Sequence, residues 1–426
     1  MDSTAFQVIA VLAIVVQGFL LFLFFFEPGI AYKIRRSPSV RLDSDEFRRM
    51  IQVLTDAHIF SGNKIEVLTN GEIFYEAELE AIRAAQRTVN LEAYIFQRGE
   101  VTRRFVKALA ERAQAGVKVN VILDSIGSMT TWRSYFKELR EAGGRVVYYN
   151  PLRWHHIVRF NNRTHRELII VDGSVGFIGG AGFADHWLKK KRNHPRWRDT
   201  MFRVQGEVVM GLQSTFAENW VEAAEEILTG DGYFSQCEAA GDCDAMVVES
   251  SPSAGRSTRA RMLYQSLIAS AQKCIQITTP YFLPDWSARH EMVRAIKERG
   301  VKIRVIVPGK RSDHLLTRRS SRRLYGDLLK AGAEIYEYEP AMIHTKTMTI
   351  DHLWSVVGST NFDHRSFGLN DEVNLACSNR ETAARIEEDF ERDLAASHRI
   401  TYRQWKKRSV FERVQENLGW ILERQQ

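Results

Sequence analysis

The chain has 426 residues, of which 44% are hydrophobic and 26% are charged, and these values lie in the normal globular range and argue against intrinsic disorder. This length allows two or three domains or one large duplicated unit. The formal net charge of +7 favours anionic partners, which include phospholipid headgroups, nucleic acid and an acidic membrane surface.

The first predicted element is a transmembrane anchor over residues 5–26, where the sequence reads AFQVIAVLAIVVQGFLLFLFFF. Only Gln7, Gln17 and Gly18 interrupt the apolar run, and a helix of this length spans about 33 Å, enough for the hydrocarbon core. A cleaved signal peptide is the alternative, but no Lys or Arg precedes the run and no small-x-small cleavage site precedes Glu27. Basic residues lie in a predicted juxtamembrane linker over residues 27–58. The positive-inside rule therefore predicts that the larger C-terminal part is cytoplasmic.

The segments that follow repeat one α/β unit. Residues 90–124 read NLEAYIFQRGEVTRRFVKALAERAQAGVKVNVILD, and residues 276–310 read QITTPYFLPDWSARHEMVRAIKERGVKIRVIVPGK. Each contains a β-rich run, an amphipathic helix, a glycine and an alternating Val/Ile strand. Residues 135–151 and 324–340 extend the match with a helix that ends in Ala-Gly and a strand that ends in proline. The order of so many matching elements predicts an internal duplication.

The duplication predicts a first lobe over residues 59–229 and a second lobe over residues 246–395. A polar, acidic and glycine-containing stretch over residues 230–245 is predicted to link them. Cys237 and Cys243 lie in this linker, and their spacing allows either a disulfide or two free thiols. Because no Cys-x-x-Cys pair accompanies them, a structural zinc site is not predicted.

The last predicted segment, over residues 396–426, is helical. Its apolar residues at helical spacing are Trp405, Val410, Phe411, Val414, Leu418 and Ile421. Two interpretations of this stripe remain open. It packs on the body of the protein, or it lies on a membrane surface.

The clearest chemical signal lies in the second lobe, where His344 and Lys346 begin a strand-like run that ends at Asp351. Residues two apart on a strand project from the same face. The chain then turns at a Gly-Ser pair and presents Asn361. A neutral histidine can attack phosphorus, and Lys and Asn side chains can hold the oxygens where negative charge develops. The complete string H-x-K-x4-D-x6-G-S-x-N is therefore a strong signal of phosphodiester chemistry.

The first lobe repeats this pattern with two departures. His165 and Asp172 keep the spacing, but Glu167 stands where the second motif has Lys, and Gly182 stands where it has Asn. One interpretation is an inactive half. The alternative, which we favour, is that both histidines work while the second motif supplies most of the oxyanion stabilisation.

Glu167 needs a partner under this hypothesis, because an unpaired carboxylate facing a phosphate would raise the reaction barrier. We expect Glu167 to pair with Lys346, Arg163 or Arg166, or to accept hydroxyls of a glycerol headgroup. A sharp rise in turnover on replacing Glu167 with Lys would show that the glutamate is not an adapted feature.

These residues resemble the HKD motif of the phospholipase D superfamily, and the resemblance covers nearly all of residues 60–400. The strings TTPYFLP, GSTNFDHRS and NDE are most similar to bacterial cardiolipin synthases. The resemblance implies two α/β lobes related by a pseudo-twofold, with one active site at their interface, preceded here by the single transmembrane helix. It also implies a phosphohistidine intermediate, in which one motif histidine attacks phosphorus and the other protonates the leaving alcohol. No metal or cofactor is expected.

Two acids outside the motifs resemble the family acids that hydrogen-bond a catalytic imidazole and set its tautomer. They are Asp199, in the string RWRDT, and Glu372, eleven residues after Asn361. An ordinary salt bridge is the alternative for Asp199. Asp172 and Asp351 belong to the motif pattern, and the family resemblance implies that they support the fold more than the chemistry.

The resemblance predicts a phosphatidyltransferase of the bacterial inner membrane that makes cardiolipin from phosphatidylglycerol, an acidic phospholipid. The alternatives are a phospholipase D-type hydrolase, a nuclease or other phosphodiesterase, and a non-enzymatic lipid-binding scaffold. The predicted anchor argues against an obligatory nucleic-acid partner. The oligomeric state and the histidine that attacks first stay open.

Overall fold

The computed structural model describes residues 3–25, 32–151, 162–189, 195–252 and 257–422. Its helices are α1 (Ser3–Phe25), α2 (Asp45–Thr55), α3 (Gly71–Ala84), α4 (Glu100–Gln114), α5 (Lys137–Glu141), α6 (Val209–Ala224), α7 (Arg259–Ser270), α8 (Trp286–Arg299), α9 (Leu315–Ala331), α10 (His364–Gly368), α11 (Arg380–Ala395), α12 (Tyr402–Lys406) and α13 (Val410–Leu422).

The strands join into one mixed sheet of fifteen strands across the described ranges. They are β1 (Phe60–Thr69), β2 (Thr88–Ala93), β3 (Lys118–Asp124), β4 (Arg145–Tyr149), β5 (Leu168–Val171), β6 (Val175–Gly179), β7 (Thr200–Gln205), β8 (Cys243–Ser250), β9 (Cys274–Thr278), β10 (Lys302–Pro308), β11 (Glu334–Tyr338), β12 (Thr347–Ile350), β13 (Trp354–Gly358), β14 (Glu372–Ser378) and β15 (Ser397–Ile400).

The strand order repeats itself on either side of the sheet centre, where β1 and β8 pair antiparallel. Outward from β1 the order is β7, β6, β5, β2, β3 and β4, and outward from β8 it is β14, β13, β12, β9, β10 and β11, with β15 at the edge. In both halves the last three strands of the repeat are parallel. The predicted repetition of one α/β unit is confirmed by this order.

Local sequence explains why the repeated units form. In the second half, α8 begins where the Asp285 side chain accepts the Ala288 amide at 2.8 Å, and it ends at Gly300 with φ +69°. An Asx N-cap and a left-handed glycine are the usual helix boundaries. The strands β2 and β5 are buried along their whole length, which fits their position between covered neighbours.

Backbone hydrogen bonds cross between the halves beside each motif histidine. The His165 amide donates to the Asp371 carbonyl at 2.9 Å, and the Asp371 amide donates to the Arg163 carbonyl at 2.9 Å. The counterpart bond runs from the His344 amide to the Arg198 carbonyl at 2.8 Å. Each histidine is therefore fixed to a segment of the opposite half.

Asp172 and Asp351 close equivalent turns outside the site. Asp172 accepts the amides of residues 86–88 at 2.7–2.9 Å, and Asp351 accepts those of residues 272–274 at 2.8–2.9 Å. Both have positive φ, 52° and 53° respectively. These two motif residues bind backbone and hold the start of β2 and β9.

An Asp172→Ala variant is expected to lower the free energy of unfolding by about 2–4 kcal/mol, because three amides lose a charged acceptor. Urea unfolding followed by tryptophan fluorescence measures this change. Asp327→Ala is the control, since the Asp327 side chain is 78% exposed and its ion pair with Arg289 is 3.9 Å long. Equal midpoints for the two variants would contradict the structural role of Asp172.

The predicted anchor over residues 5–26 coincides with α1, except that Phe26 lies outside the described residues. Apolar side chains that are roughly half exposed or more surround this helix: Val8, Ile9, Val11, Leu12, Ile14, Val15, Val16 and Phe19. Over the described ranges, no helix satisfies both the length and the apolarity that a membrane crossing requires. The predicted transmembrane helix is therefore not confirmed.

The predicted juxtamembrane linker over residues 27–58 contains α2, although residues 27–31 lie outside the described ranges. The Ser44 side chain caps α2 by accepting the Phe47 amide at 3.2 Å. Phe47 and Ile51 are fully buried among second-half residues, and the Phe47 ring meets that of Trp354 at 5.5 Å. The helix α2 therefore packs into the hydrophobic core of the second half.

The predicted linker over residues 230–245 is shorter than expected, because β8 already begins at Cys243. All four cysteines are free thiols, so the possible Cys237–Cys243 disulfide is not formed. At the C-terminus, α13 packs along α9, and the Trp405 indole donates to the Arg322 carbonyl at 2.7 Å.

The apolar stripe of the C-terminal segment is only partly covered. Val410, Phe411 and Val414 are 76%, 70% and 49% exposed, whereas the side chains from residue 417 onward lie outside the description. The packing interpretation therefore holds for Trp405 and not for these three side chains.

Candidate active site

A cavity of about 220 Å³ lies between the two halves and is lined by both motif histidines, His165 and His344. The histidines stand just before β5 and β12, rather than within a strand as the sequence pattern suggested. Asn361 lines the same cavity, and its Oδ1 atom is buried without a hydrogen-bond partner in the described part of the chain. One cavity thus contains a candidate nucleophile, a second histidine and an amide.

His344 is oriented by an acid from the first half. Its Nδ1 atom lies 3.0 Å from Oδ2 of Asp199, which also accepts the Trp187 indole N–H at 3.0 Å. The other oxygen of Asp199 accepts the Thr200 amide at 2.8 Å. Asp199 is fully buried, so its carboxylate has a fixed position. A proton on Nδ1 leaves the lone pair of Nε2 available to act as a nucleophile.

The environment of His344 favours the neutral imidazole. Burial lowers the pKa of His344, and the ammonium of Lys346 lowers it further, while Asp199 acts in the opposite direction. Burial opposes ionisation of Asp199, but the hydrogen bond from His344 and the nearby cations keep the pKa of Asp199 below its ordinary value. A neutral histidine therefore faces an ionised carboxylate.

Lys346 lies over the His344 ring and reaches the first half. Its Nζ atom is 3.0 Å and 3.2 Å from the two ring nitrogens, and it donates to the His344 carbonyl at 2.9 Å. Burial lowers the pKa of Lys346. A Cβ atom at Gly180 would stand 2.8 Å from Nζ. The glycine at this position in the first motif thus makes room for the lysine of the second.

His165 has a looser partner from the second half. Its Nδ1 atom lies 3.4 Å from Oε2 of Glu372 and 3.3 Å from the Ser359 carbonyl oxygen. Glu372 is fully buried, and its Oε2 atom also accepts the Ser359 hydroxyl. The Tyr94 ring stacks at a tilt 4.9 Å from the His165 ring. The two halves thus exchange acids: each histidine faces a carboxylate of the other half.

Glu167 does not make the expected ion pair. Its Oε1 atom accepts the amides of Tyr94 and Ile95 at 3.2 Å and 3.1 Å, and Oε2 has no hydrogen-bond partner among the described residues. Burial raises the pKa of Glu167 well above its ordinary value. The charge of Lys346 acts in the opposite direction and lowers this pKa. Glu167 therefore supports the backbone that carries Tyr94.

The two proposed arginine partners of Glu167 are engaged elsewhere. Arg163 lies 3.6 Å from Asp124, and Arg166 donates to Glu218 at 2.7 Å. Gly182 explains why the first motif has no asparagine: a Cβ atom there would stand 2.7 Å from the Ile95 Cβ and 2.9 Å from Glu167 Oε1. The absence of a side chain at Gly182 thus leaves the space that the Glu167 carboxyl group occupies.

Sequence reasoning assigned no role to several side chains that line the cavity, including Asp363, Arg365 and Ser366. All three lie in the string GSTNFDHRS, and their position in this family-like string was the signal from which they could have been found. Tyr281 and Asp313 also line it, and the Tyr281 hydroxyl donates to Asp313 at 2.7 Å. Among the described residues, no group of three or more His, Cys, Asp or Glu is arranged to hold a metal ion.

Comparison with known proteins identifies the fold and the family. A family described as cardiolipin synthase, phospholipase D-like domain, matches residues 79–214 and 264–394. The major cardiolipin synthase ClsA of Bacillus subtilis is 32% identical over 89% of this chain and 79% of its own length. A cardiolipin synthase of Alkalihalophilus pseudofirmus is 32% identical over 88% of this chain and 74% of its own length.

Among solved structures, a phosphatidylserine synthase of Haemophilus influenzae superposes with a TM-score of 0.68 at 14% identity. The match covers 89% of this chain and 98% of that one, and it shows a shared fold. The duplicated sheet, the paired histidine motifs and the family match lead to one conclusion. This chain belongs to the phospholipase D-like cardiolipin synthase family.

Proposed function

We propose that this protein is a phosphatidyltransferase that joins two phosphatidylglycerol molecules into cardiolipin and releases glycerol. The observation that carries the proposal is the single cavity lined by His165 and His344, each beside a buried acid of the opposite half. Family membership and the names of the relatives, which are cardiolipin synthases, support the choice of lipid.

In the first step, Nε2 of His344 attacks the phosphorus of one phosphatidylglycerol. A nitrogen–phosphorus bond forms, and the bond from phosphorus to the headgroup glycerol breaks. His165 gives its proton to the departing glycerol oxygen. Lys346, which contacts His344, and Asn361, which lines the same cavity, stabilise the charge that develops on the non-bridging oxygens.

In the second step, the terminal glycerol hydroxyl of another phosphatidylglycerol attacks the phosphohistidine. An oxygen–phosphorus bond forms, the nitrogen–phosphorus bond breaks, and His165 takes the hydroxyl proton. The net reaction converts two phosphatidylglycerols into one cardiolipin and one glycerol. It balances without a redox step or an external energy source.

The test is a lipid assay with the full chain, labelled phosphatidylglycerol in mixed micelles, and the His344→Ala variant as control. Cardiolipin and glycerol in equal amounts, from the wild type only, are expected. Phosphatidic acid as the sole product would mean that water is the acceptor and the protein is a hydrolase. No product with either protein would contradict the proposed function.

We further propose that α1 holds the enzyme at a bacterial inner membrane, with the catalytic part on the cytoplasmic side. The exposed apolar side chains around α1 support association with a bilayer, and the basic residues after it support this orientation. A variant that lacks residues 1–31 is expected to leave the membrane pellet after carbonate washing and to keep its activity in mixed micelles. Full retention in the pellet would assign membrane binding to another surface, such as the exposed Val410 and Phe411.

Replacement of Glu167 distinguishes a structural carboxyl from a degenerate motif. Glu167→Gln is expected to keep cardiolipin synthesis within about threefold of wild type, because glutamine still accepts the Tyr94 and Ile95 amides and a neutral side chain suits this site. Glu167→Lys is expected to lose at least about tenfold, since it faces those amides with a cation and adds a buried charge near Lys346. Faster turnover by Glu167→Lys would mean that the first motif is a damaged copy.

A further inference from the structure

Two arginines of the cavity lie near His165. Arg163 and Arg365 line the cavity, and both are close enough to Tyr94 for their charges to affect the pKa of its hydroxyl. The Tyr94 ring is 4.9 Å from that of His165, whereas Lys346 contacts His344. Arg163 is 3% exposed, and Arg365 is half-buried. The first motif has lost its own lysine and asparagine, so this positive charge on the His165 side is not a copy of the Lys346 site.

Arg163 is held in place by several contacts, and it is close enough to Arg365 for the two charges to interact. Arg163 Nη1 donates to the Ser125 hydroxyl at 3.0 Å and the Asn150 carbonyl at 3.1 Å, and it lies 3.6 Å from Asp124. Burial, together with the charge of Arg163, lowers the pKa of Arg365 even though Tyr94 and Asp363 act to raise it. Two like charges in a partly buried site are stabilised by an anion that binds between them.

Ser366 adds an independent sign of a ligand. It is 1% exposed and lines the cavity, yet its hydroxyl has no hydrogen-bond partner among the described residues. Its amide is already used, since it donates to Asp363 at 2.7 Å. A buried hydroxyl without a partner is costly unless a ligand satisfies it, and a phosphate oxygen is a suitable acceptor.

The geometry points to a second anion subsite, in which Arg163, Arg365 and Ser366 hold the phosphate of the acceptor lipid. This inference rests on the proposed function, because cardiolipin synthesis brings two phosphates into one cavity. The first is bound covalently to His344 beside Lys346. The second belongs to the acceptor and is separated from its attacking hydroxyl by the three carbons of glycerol.

The subsite also orients the acceptor lipid for the second step of the reaction. A phosphate held by the arginines lies on the same side of the cavity as His165, so the terminal hydroxyl of that headgroup is directed toward the base that must take its proton. Guanidinium groups suit this task because they bind phosphate oxygens in pairs. The carboxyl of Asp363, which also lines the cavity, opposes a second anion less when protonated, and burial raises the pKa of Asp363 to about 6.

Two acceptors separate binding of the acceptor phosphate from the rest of the reaction. Transfer to phosphatidylglycerol gives cardiolipin, whereas exchange of labelled free glycerol into phosphatidylglycerol uses the same phosphohistidine with an acceptor that has no phosphate. The Arg365→Gln and Ser366→Ala variants are assayed in both reactions. Arg399→Gln, at the sheet edge with its ion pair to Glu334, serves as the matched control.

We expect Arg365→Gln to lower cardiolipin formation at least about tenfold more than glycerol exchange, through a higher KM for the acceptor. Ser366→Ala should give the same pattern with a smaller effect, and Arg365→Lys should restore part of the loss. Equal losses in both reactions would overturn the subsite, because they would assign Arg365 to the donor lipid or to folding. Wild-type glycerol exchange without cardiolipin would overturn both the subsite and the choice of acceptor, and absence of both reactions would overturn the proposed function itself.

Discussion

A His344→Asn variant is expected to lower the rate of cardiolipin formation at least about a thousandfold, because it removes the atom that we propose attacks phosphorus. Asparagine is close in size and can still donate to Asp199, so the buried carboxylate keeps a partner. Initial rates of glycerol release and of cardiolipin formation should fall together, since the proposed mechanism forms and consumes one phosphohistidine. Circular dichroism of the variant provides the control for folding.

Direct detection of the intermediate identifies the nucleophile. In the wild type, the phosphatidyl group is expected on His344, where rapid alkaline quenching and mass spectrometry of peptides detect it. A His165→Asn variant is expected to form this adduct more slowly, because His165 also protonates the departing glycerol in the proposed first step. Asp199 holds Nδ1 of His344 at 3.0 Å, whereas the contact of His165 with Glu372 is 3.4 Å, which favours His344 as the oriented nucleophile. An adduct found on His165 in the wild type, with none on His344, would reverse the two roles.

An Asp199→Asn variant is expected to lose about 10²–10⁴-fold in kcat, because the amide no longer fixes the tautomer that exposes Nε2 of His344. The pH profile gives a second readout. In the wild type, Asp199 raises the pKa of His344 against the opposing effects of burial and Lys346. Without the carboxylate this pKa falls further, so His344 stays neutral to lower pH. The acid limb of kcat/KM should therefore move to lower pH.

The matched variant for this experiment is Glu372→Gln, which changes the other cross-half acid. Its longer contact with His165 predicts a smaller loss of activity and no shift of the acid limb that belongs to His344. A large loss in Asp199→Asn with an unchanged acid limb would contradict the proposed effect on His344 and would indicate a structural role, such as the hydrogen bond from Trp187.

The repeated fold could be predicted because each βαβ unit carries a strong local pattern of alternating strands, amphipathic helix and terminal glycine. The helix α2 could not be predicted, since its burial depends on a distant partner. Its Phe47 and Ile51 pack on residues of the second half, whereas the sequence around them reads as a charged segment after an apolar run.

The site shows the same division between local and distant information. The spacing of each motif indicated His165, His344, Lys346 and Asn361, because these residues follow one short pattern. The bonds of Glu167 could not be predicted, since they go to the backbone amides of Tyr94 and Ile95, more than seventy positions earlier. Arg365 and Ser366 lay in a recognised string, but their direction into the cavity depends on the packing of α10.

The tight contacts at Gly180 and Gly182 have a consequence for protein engineering. Consensus design would treat these glycines and Glu167 as decayed positions and would rewrite the first motif after the second. Serine at position 180 would displace the Lys346 ammonium, and asparagine at position 182 would collide with Ile95. Such a repair is expected to lower activity, because Gly180 of the first half leaves the space that Lys346 of the second half occupies.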